Sequence, residues 1–218
     1  TVSPSDLSVE CDGSGNVTDI NTWLASNGGA TATDACSSIT WTNDYSGLSN
    51  DCGGTGSATV TFTATDDCGN SETATGLIII IDNTAPTIDV AASDLTISCD
   101  QTNQAAAISA WLTSNGGAIA SDICGTVSWT NDYTDNLSDD CGLTGTVVVI
   151  FTATDDCGNE STTSATLTVV DNDPPTITVS PSDLSVECDG SGNVTDINTW
   201  LASNGGATAT DACSSITW

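Results

Sequence analysis

The stretch TVTFTATDDCGN, residues 59–70, decides the fold. Val60, Phe62 and Ala64 alternate with Thr59, Thr61, Thr63 and Thr65, the period-two pattern of a strand with one buried face. DDCGN then supplies turn residues, and ETATGLIIIID (72–82) returns as a second strand. The last eight residues of the stretch, TATDDCGN, come back unchanged at 152–159.

That recurrence belongs to a larger one. Residues 178–218 repeat residues 1–41 letter for letter. Between them lies a diverged copy, in which Cys11, Cys36, Cys52 and Cys68 become Cys99, Cys124, Cys141 and Cys157. One inserted residue between Tyr133 and Cys141 changes the offset from 88 to 89. The third copy holds Cys188 and Cys213 and runs to Trp218. The chain reads as two and a half units in the order A–B–A, with boundaries at 1–83 (type A), 84–172 (type B) and 173–218 (the first half of a further type A). A period near 88 is far longer than a helical solenoid repeat and fits one small sandwich domain. The third unit's missing half implies a segment of a longer array, or a domain completed by another chain.

Within a unit, DLSVEC alternates as a strand. VTDINTWLASNGG changes period: Ile20, Trp23 and Leu24 fall at helical spacing, with Thr18 as N-cap and Gly28 and Gly29 as the stop. ATATD and SITWTND read as a hairpin around Cys36. Many short strands, regular turns and one helix predict a mainly β chain: tandem immunoglobulin-like β-sandwich domains, each with one short helix, joined by short Pro-containing linkers.

The 218 residues carry 29 acids, no Lys, no Arg and no His, for a formal net charge of −29. A nucleic-acid partner is excluded, because phosphate binding needs cationic side chains. Direct membrane insertion is not indicated, and an anionic membrane surface is disfavoured. With no His base, Schiff-base Lys or phosphate-gripping Arg, catalysis is left to carboxylates, hydroxyls or a metal. Adjacent carboxylates at a tip point apart, and they recur in each complete unit, so the expectation is that the chain is not an enzyme. Ten cysteines without a C-x-x-C point to disulfides in an oxidising, extracellular setting, with zinc as the alternative.

Strand polarity predicts the pairing. If the first strand carries Cys11 to the exit end of the domain, Cys52 returns there, while Cys36 and Cys68 lie at the entry end. Bridging needs Cα atoms within about 7 Å. The expected pairs are Cys11–Cys52 and Cys36–Cys68, then Cys99–Cys141 and Cys124–Cys157.

The tip at the entry end faces the linkers DNTAPT (82–87) and DNDPPT (171–176), stiffened by Pro86, Pro174 and Pro175. Asp82, Asn83, Asp122, Asp155 and Asp156 at one junction, with Asp171 and Asp173 at the next, form oxygen-only clusters suited to Ca²⁺. The alternative is that these residues make Asx-turns and keep the tips soluble.

ATDDCGN, a hydrophobic strand and then DNTAPTI or DNDPPTI resemble hyalin-repeat (HYR)-like and related bacterial immunoglobulin-like repeats along the whole chain. The linker is also similar to cadherin junctions, whose Asp and Asn residues bind calcium, although the matching mid-domain acidic motifs are not present. The HYR-like resemblance implies tandem units of long Bacteroidota-type surface adhesins and fibres, with a spacer, adhesin or filament role outside the cell.

Units A and B differ on outward faces. Thr59 and Thr61 of A correspond to Val148 and Ile150 of B, while Leu77 and Ile79 of A correspond to Thr166 and Thr168 of B. Extra apolar stripes of this kind mark contact surfaces, so these four residues are candidate interface positions between neighbouring domains or chains. The alternative is burial inside each domain. Sequons occur at Asn16, Asn136, Asn159 and Asn193. The functional expectation is a non-catalytic stalk or filament whose partners are further copies of the same repeats. The alternative is a glycan- or protein-binding adhesin module.

Overall fold

The computed structural model describes residues 1–138 and 141–218. The first repeat contains strand β1 (Leu7–Glu10), helix α1 (Val17–Ala25) and strands β2 (Ile39–Asn43), β3 (Gly56–Asp66) and β4 (Ser71–Ile81). The second contains β5 (Thr87–Val90), β6 (Leu95–Ser98), α2 (Gln104–Thr113), β7 (Ile119–Ser121), β8 (Ser128–Asn131), β9 (Gly145–Thr154) and β10 (Glu160–Val170). The third contains β11 (Thr176–Val179), α3 (Val194–Ala202) and β12 (Thr208–Thr210). The chain is mainly β, with sandwich-like sheets and one short helix in each repeat, as the alternation required.

Strand order is β1-β4-β3-β2 in the first repeat and β6-β10-β9-β8 in the second. β1 runs parallel to β4, with Leu7 opposite Ile78 and Val9 opposite Ile80, while β3 is antiparallel to both β4 and β2. First and last strands therefore leave the sheet at the same end, as the polarity reading assumed. The predicted hairpin around Cys36 is not made. β7 pairs with β5, β12 with β11, and Thr31 bridges to Val2, whereas β2 and β8 pair with β3 and β9. The cysteine loop between them passes from one sheet to another, because Asp34, Asp122 and Asp211 turn the chain by accepting the amides of Cys36, Cys124 and Cys213.

The inward faces are those expected. Val60, Phe62, Ile78 and Ile80 are buried in the first repeat, and Val149, Phe151, Ala153, Leu167 and Val169 in the second. Trp23 meets Phe62 edge to face at 5.1 Å and donates its indole N–H to Ser5 O. A buried indole thus satisfies its one donor while the ring fills the core. Helix α1 starts earlier than predicted. Its N-cap is Asn16, at φ 51°, and not Thr18. Asn16 tolerates the left-handed region because its short amide bonds locally, donating to Glu10 O at 2.8 Å.

Contacts divide the chain into two compact units. The first comprises Thr1–Ala91, Ala118–Asn131 and Phe151–Thr163. The second comprises Ala92–Gly117, Asp132–Ile150 and Ser164–Trp218. Each unit gathers segments from successive repeats.

Candidate functional site

The three disulfides differ from the expected ones. Cys11 bonds Cys124, Cys52 bonds Cys157 and Cys99 bonds Cys213, with Cα separations of 6.0, 5.1 and 5.8 Å. The predicted Cys11–Cys52, Cys36–Cys68, Cys99–Cys141 and Cys124–Cys157 bonds are not formed, and Cys36, Cys68, Cys141 and Cys188 are free and exposed. The expected pairs lie within one repeat; the observed pairs do not. Cys11 lies at the exit end, its amide bonded to Ile81 O at 2.7 Å. There it meets the entry-end loop of the following repeat, so every bond links one repeat to the next.

Backbone contacts make this fit close. Gly54 donates to Cys124 O at 2.6 Å, and Leu143 donates to Cys213 O at 2.8 Å. A Cβ on Gly53 would fall 2.4 Å from Cys124 O, and one on Gly142 would fall 2.1 Å from Cys213 O. Glycine is required at both, by positive φ and by this approach.

Acidic side chains collect around the same bonds. Asp82 and Asp122 lie beside Cys124, with potential ligand atoms all within 4.8 Å of one another. Burial comes first, and the charges of Asp122, Asp155 and Glu10 add to it, in raising the Asp82 carboxyl above its ordinary value. Glu10 is lowered by the Asn83 amide and the Thr84 hydroxyl. Around Cys99–Cys213, an Asp171 oxygen lies within 4.8 Å of both sulfurs. There the Asp173 carboxyl is raised by its hydrogen bond with Asp100 first, then by the charges of Asp100, Asp171 and Asp211. Glu10, Asp100 and Asp211 were missed by the sequence reading. Their signal was adjacency: Glu10 and Asp100 flank the first cysteine of their repeats, and Asp211 lies two residues before Cys213.

The predicted ligands divide. Asp82, Asp122 and Asp155 come together, while Asp156 turns away, accepting the Thr126 amide and hydroxyl at 2.8 Å each. Asn83 contributes its backbone amide to Glu10. Asp155 is 6% exposed and accepts from the Cys157 and Asn159 amides and the Asn159 side chain. Burial raises its carboxyl, but these bonds outweigh it, and the net direction is down. The nearby sulfurs are disulfide-bonded, so any cation here would rest on carboxylate and carbonyl oxygens, a hard-ion donor set.

Val148 and Ile150 are exposed, whereas Leu77 and Ile79 are half-buried. Among the sequons, Asn16 is corrected: it is 1% exposed and its amide nitrogen is held by Glu10 O, leaving no room for a glycan. Asn159 and Asn193 are half-buried with their amides donating to Asp82 O and Glu187 O, and Asn136 is exposed.

No family model and no curated protein matches the chain. Among solved structures it is similar to cadherin extracellular domains. The Drosophila N-cadherin EC1-4 structure shares 11% identity over 78% of this chain and 48% of that one, at a TM-score of 0.28. The protocadherin gammaB7 EC3-6 cis-dimer shares 14% over 70% and 46%, at 0.29, and PcdhgB3 EC1-4 shares 10% over 58% and 35%, at 0.28. The chain spans less than half the length of each. The fold described above rests on its own strands and registers.

Proposed function

We propose that this chain is a non-catalytic, extracellular structural repeat protein, part of a stalk or filament of the hyalin-repeat-like kind. The observation that carries this reading is the disulfide pattern. Cys11–Cys124, Cys52–Cys157 and Cys99–Cys213 fasten successive repeats and span 113, 105 and 114 residues. Long closed loops constrain the unfolded chain most, and such bonds persist in an oxidising compartment. A chain tied from repeat to repeat resists extension and suits a surface array with adhesion or spacing as its task.

The carboxylates support the same reading over glycoside hydrolysis. Asp66 accepts within its own turn, whereas Asp67 accepts from the Ser38 hydroxyl at 2.8 Å. Asp155 and Asp156 diverge in the same way, so neither pair flanks a shared substrate position. Calcium belongs to this proposal at Asp82 and Asp122, and at Asp171 with Asp173, where it would offset the burial and neighbouring charges that raise Asp82 and the Asp100 hydrogen bond and charges that raise Asp173. Exposed Val148 and Ile150 are the proposed lateral contact.

Electron microscopy of the native material, with calcium and after chelation, tests the reading. Threads of regular repeat are expected, with altered stiffness after chelation. Dispersed compact particles with no thread under either condition would refute the array.

A further inference from the structure

Number the cysteines of a repeat one to four. Cys11–Cys124 and Cys99–Cys213 join the first cysteine of a repeat to the second of the next, and Cys52–Cys157 joins the third to the fourth of the next. The four free cysteines follow the same rule. Cys36 and Cys68 are a second and a fourth, whose partners belong to a preceding repeat. Cys188 and Cys141 are a first and a third, whose partners belong to a following one.

Local geometry is already that of the bonded copies. Asp34 holds the Cys36 amide at 2.8 Å, as Asp122 holds Cys124. Asp66 holds the Cys68 amide at 2.8 Å, as Asp155 holds Cys157. Gly13, beside Cys11, is packed so closely on Ile123 that a Cβ would fall 2.6 Å from its carbonyl oxygen. Its counterpart Gly190, beside Cys188, has open space.

The third repeat shows what would fill part of that space. Ile20 on α1 is 4% exposed beneath the β3–β4 hairpin, but its counterpart Ile197 on α3 is 41% exposed, and Leu201 is exposed beside it. In the first repeat the cover is residues 56–81, whose tip carries Cys68.

We propose that Cys36, Cys68, Cys141 and Cys188 are open halves of an inter-repeat disulfide ladder, completed by further copies of this repeat joined head to tail. In an intact type A repeat the α3 face is covered by that repeat's own hairpin, as residues 56–81 cover α1. Between copies of this chain the same rule matches Cys188, a first cysteine, with Cys36, a second, because Gly142 and Leu143 beside Cys141 already pack on Cys213 O of the third repeat. The bond forms by exchange with a small-molecule disulfide. One thiolate attacks it and releases one thiol, and the second thiolate displaces the other. Two cysteine thiols and one small disulfide thus become one protein disulfide and two small thiols.

This inference rests on the array reading, and its test separates the two. The 218-residue chain is oxidised in a small-disulfide redox buffer and run on a non-reducing gel, and pepsin peptides are then mapped by mass spectrometry. A ladder that collapses on reduction is expected, with the Cys36 peptide linked to the Cys188 peptide. Cys36→Ser and Cys188→Ser should each lose at least tenfold of that linked peptide, while a mixture of the two variants regains it as a single dimer. Both sites are exposed, and retained Cys11–Cys124, Cys52–Cys157 and Cys99–Cys213 peptides confirm that the variants fold. Monomer with four titratable thiols, or a Cys36–Cys188 bond within one chain, would overturn the proposal. Native threads that persist without this linkage would also overturn it and leave the array standing. Linked chains that form no threads would support it and sink the array reading.

Discussion

The octapeptide at 63–70 and its copy at 152–159 have one sequence, one turn and two environments. In both, the aspartate Oδ1 accepts the cysteine and asparagine amides and Oδ2 accepts the asparagine side chain, at 2.8 to 2.9 Å. Yet Cys68 is free and exposed while Cys157 is bonded to Cys52, and Asn159 also donates to Asp82 O at 3.1 Å. The first copy borders an open groove of about 410 Å³ that includes Asp34, Trp41, Asp66 and Asn70. The turn is thus built locally, and the junction is added to it. An identical motif is a solvated loop in one place and a fastening in another, according to what stands opposite.

Removing the sulfurs in turn has the largest expected effect. Cys157→Ser should destabilise the oxidised chain by about 4 kcal/mol, on the loop-entropy scale for a closure of this length. Cys68→Ser should leave the unfolding midpoint of the monomer unchanged. Denaturant melts with and without reductant measure both. A next, smaller difference lies in the turn aspartates. Asp155→Ala leaves buried amides without their acceptor and should cost about 2–3 kcal/mol, and Asp66→Ala, in its more exposed copy, should cost less. Equal losses in thermal melts would mean the junction adds nothing to the turn. Smaller again, Asn159→Ala should cost about 1 kcal/mol more than Asn70→Ala, because only Asn159 reaches Asp82 O.

Acid titration separates the groups by sign. Asp66 and Asp155 are depressed by hydrogen bonds, so their stabilisation is present above the ordinary carboxylate value and is lost as pH falls through the folded value. Asp189, lowered to about 2 by the Ser191 hydroxyl and the Asn193 and Ser191 amides, should titrate last among them. Asp82 runs the other way. Its raised carboxyl favours the protonated form in the fold, so its contribution is complete at low pH and is lost as pH rises through the folded value. Carbon-detected NMR titration should show Asp82 above 3.8 and Asp189 near 2, and added calcium should lower Asp82. An Asp82 midpoint below that of Asp66 would remove the electrostatic case for a cation site.

The inward positions of β3, β4, β9 and β10 were legible because alternation at period two needs only one strand and one buried face. Trp23 and Trp111 were legible on their helices for the same reason at helical spacing. The N-cap was misplaced because Thr18 stands just before the apolar residues at helical spacing, whereas Asn16, a capping type at least as good, is fixed by Glu10 O, which only the folded β1 supplies. The hairpin around Cys36 was misjudged because two strands close in sequence joined different sheets.

The repeat, the strand faces, the helix and the exclusion of any cationic chemistry are readable from the residues alone. Each depends on neighbours along the chain or on composition. Tertiary structure decided which cysteines bond, which carboxylates meet and which copy of an identical tip is buried. Those outcomes depend on the surface opposite, which residues 63–70 and 152–159 cannot encode because they are the same.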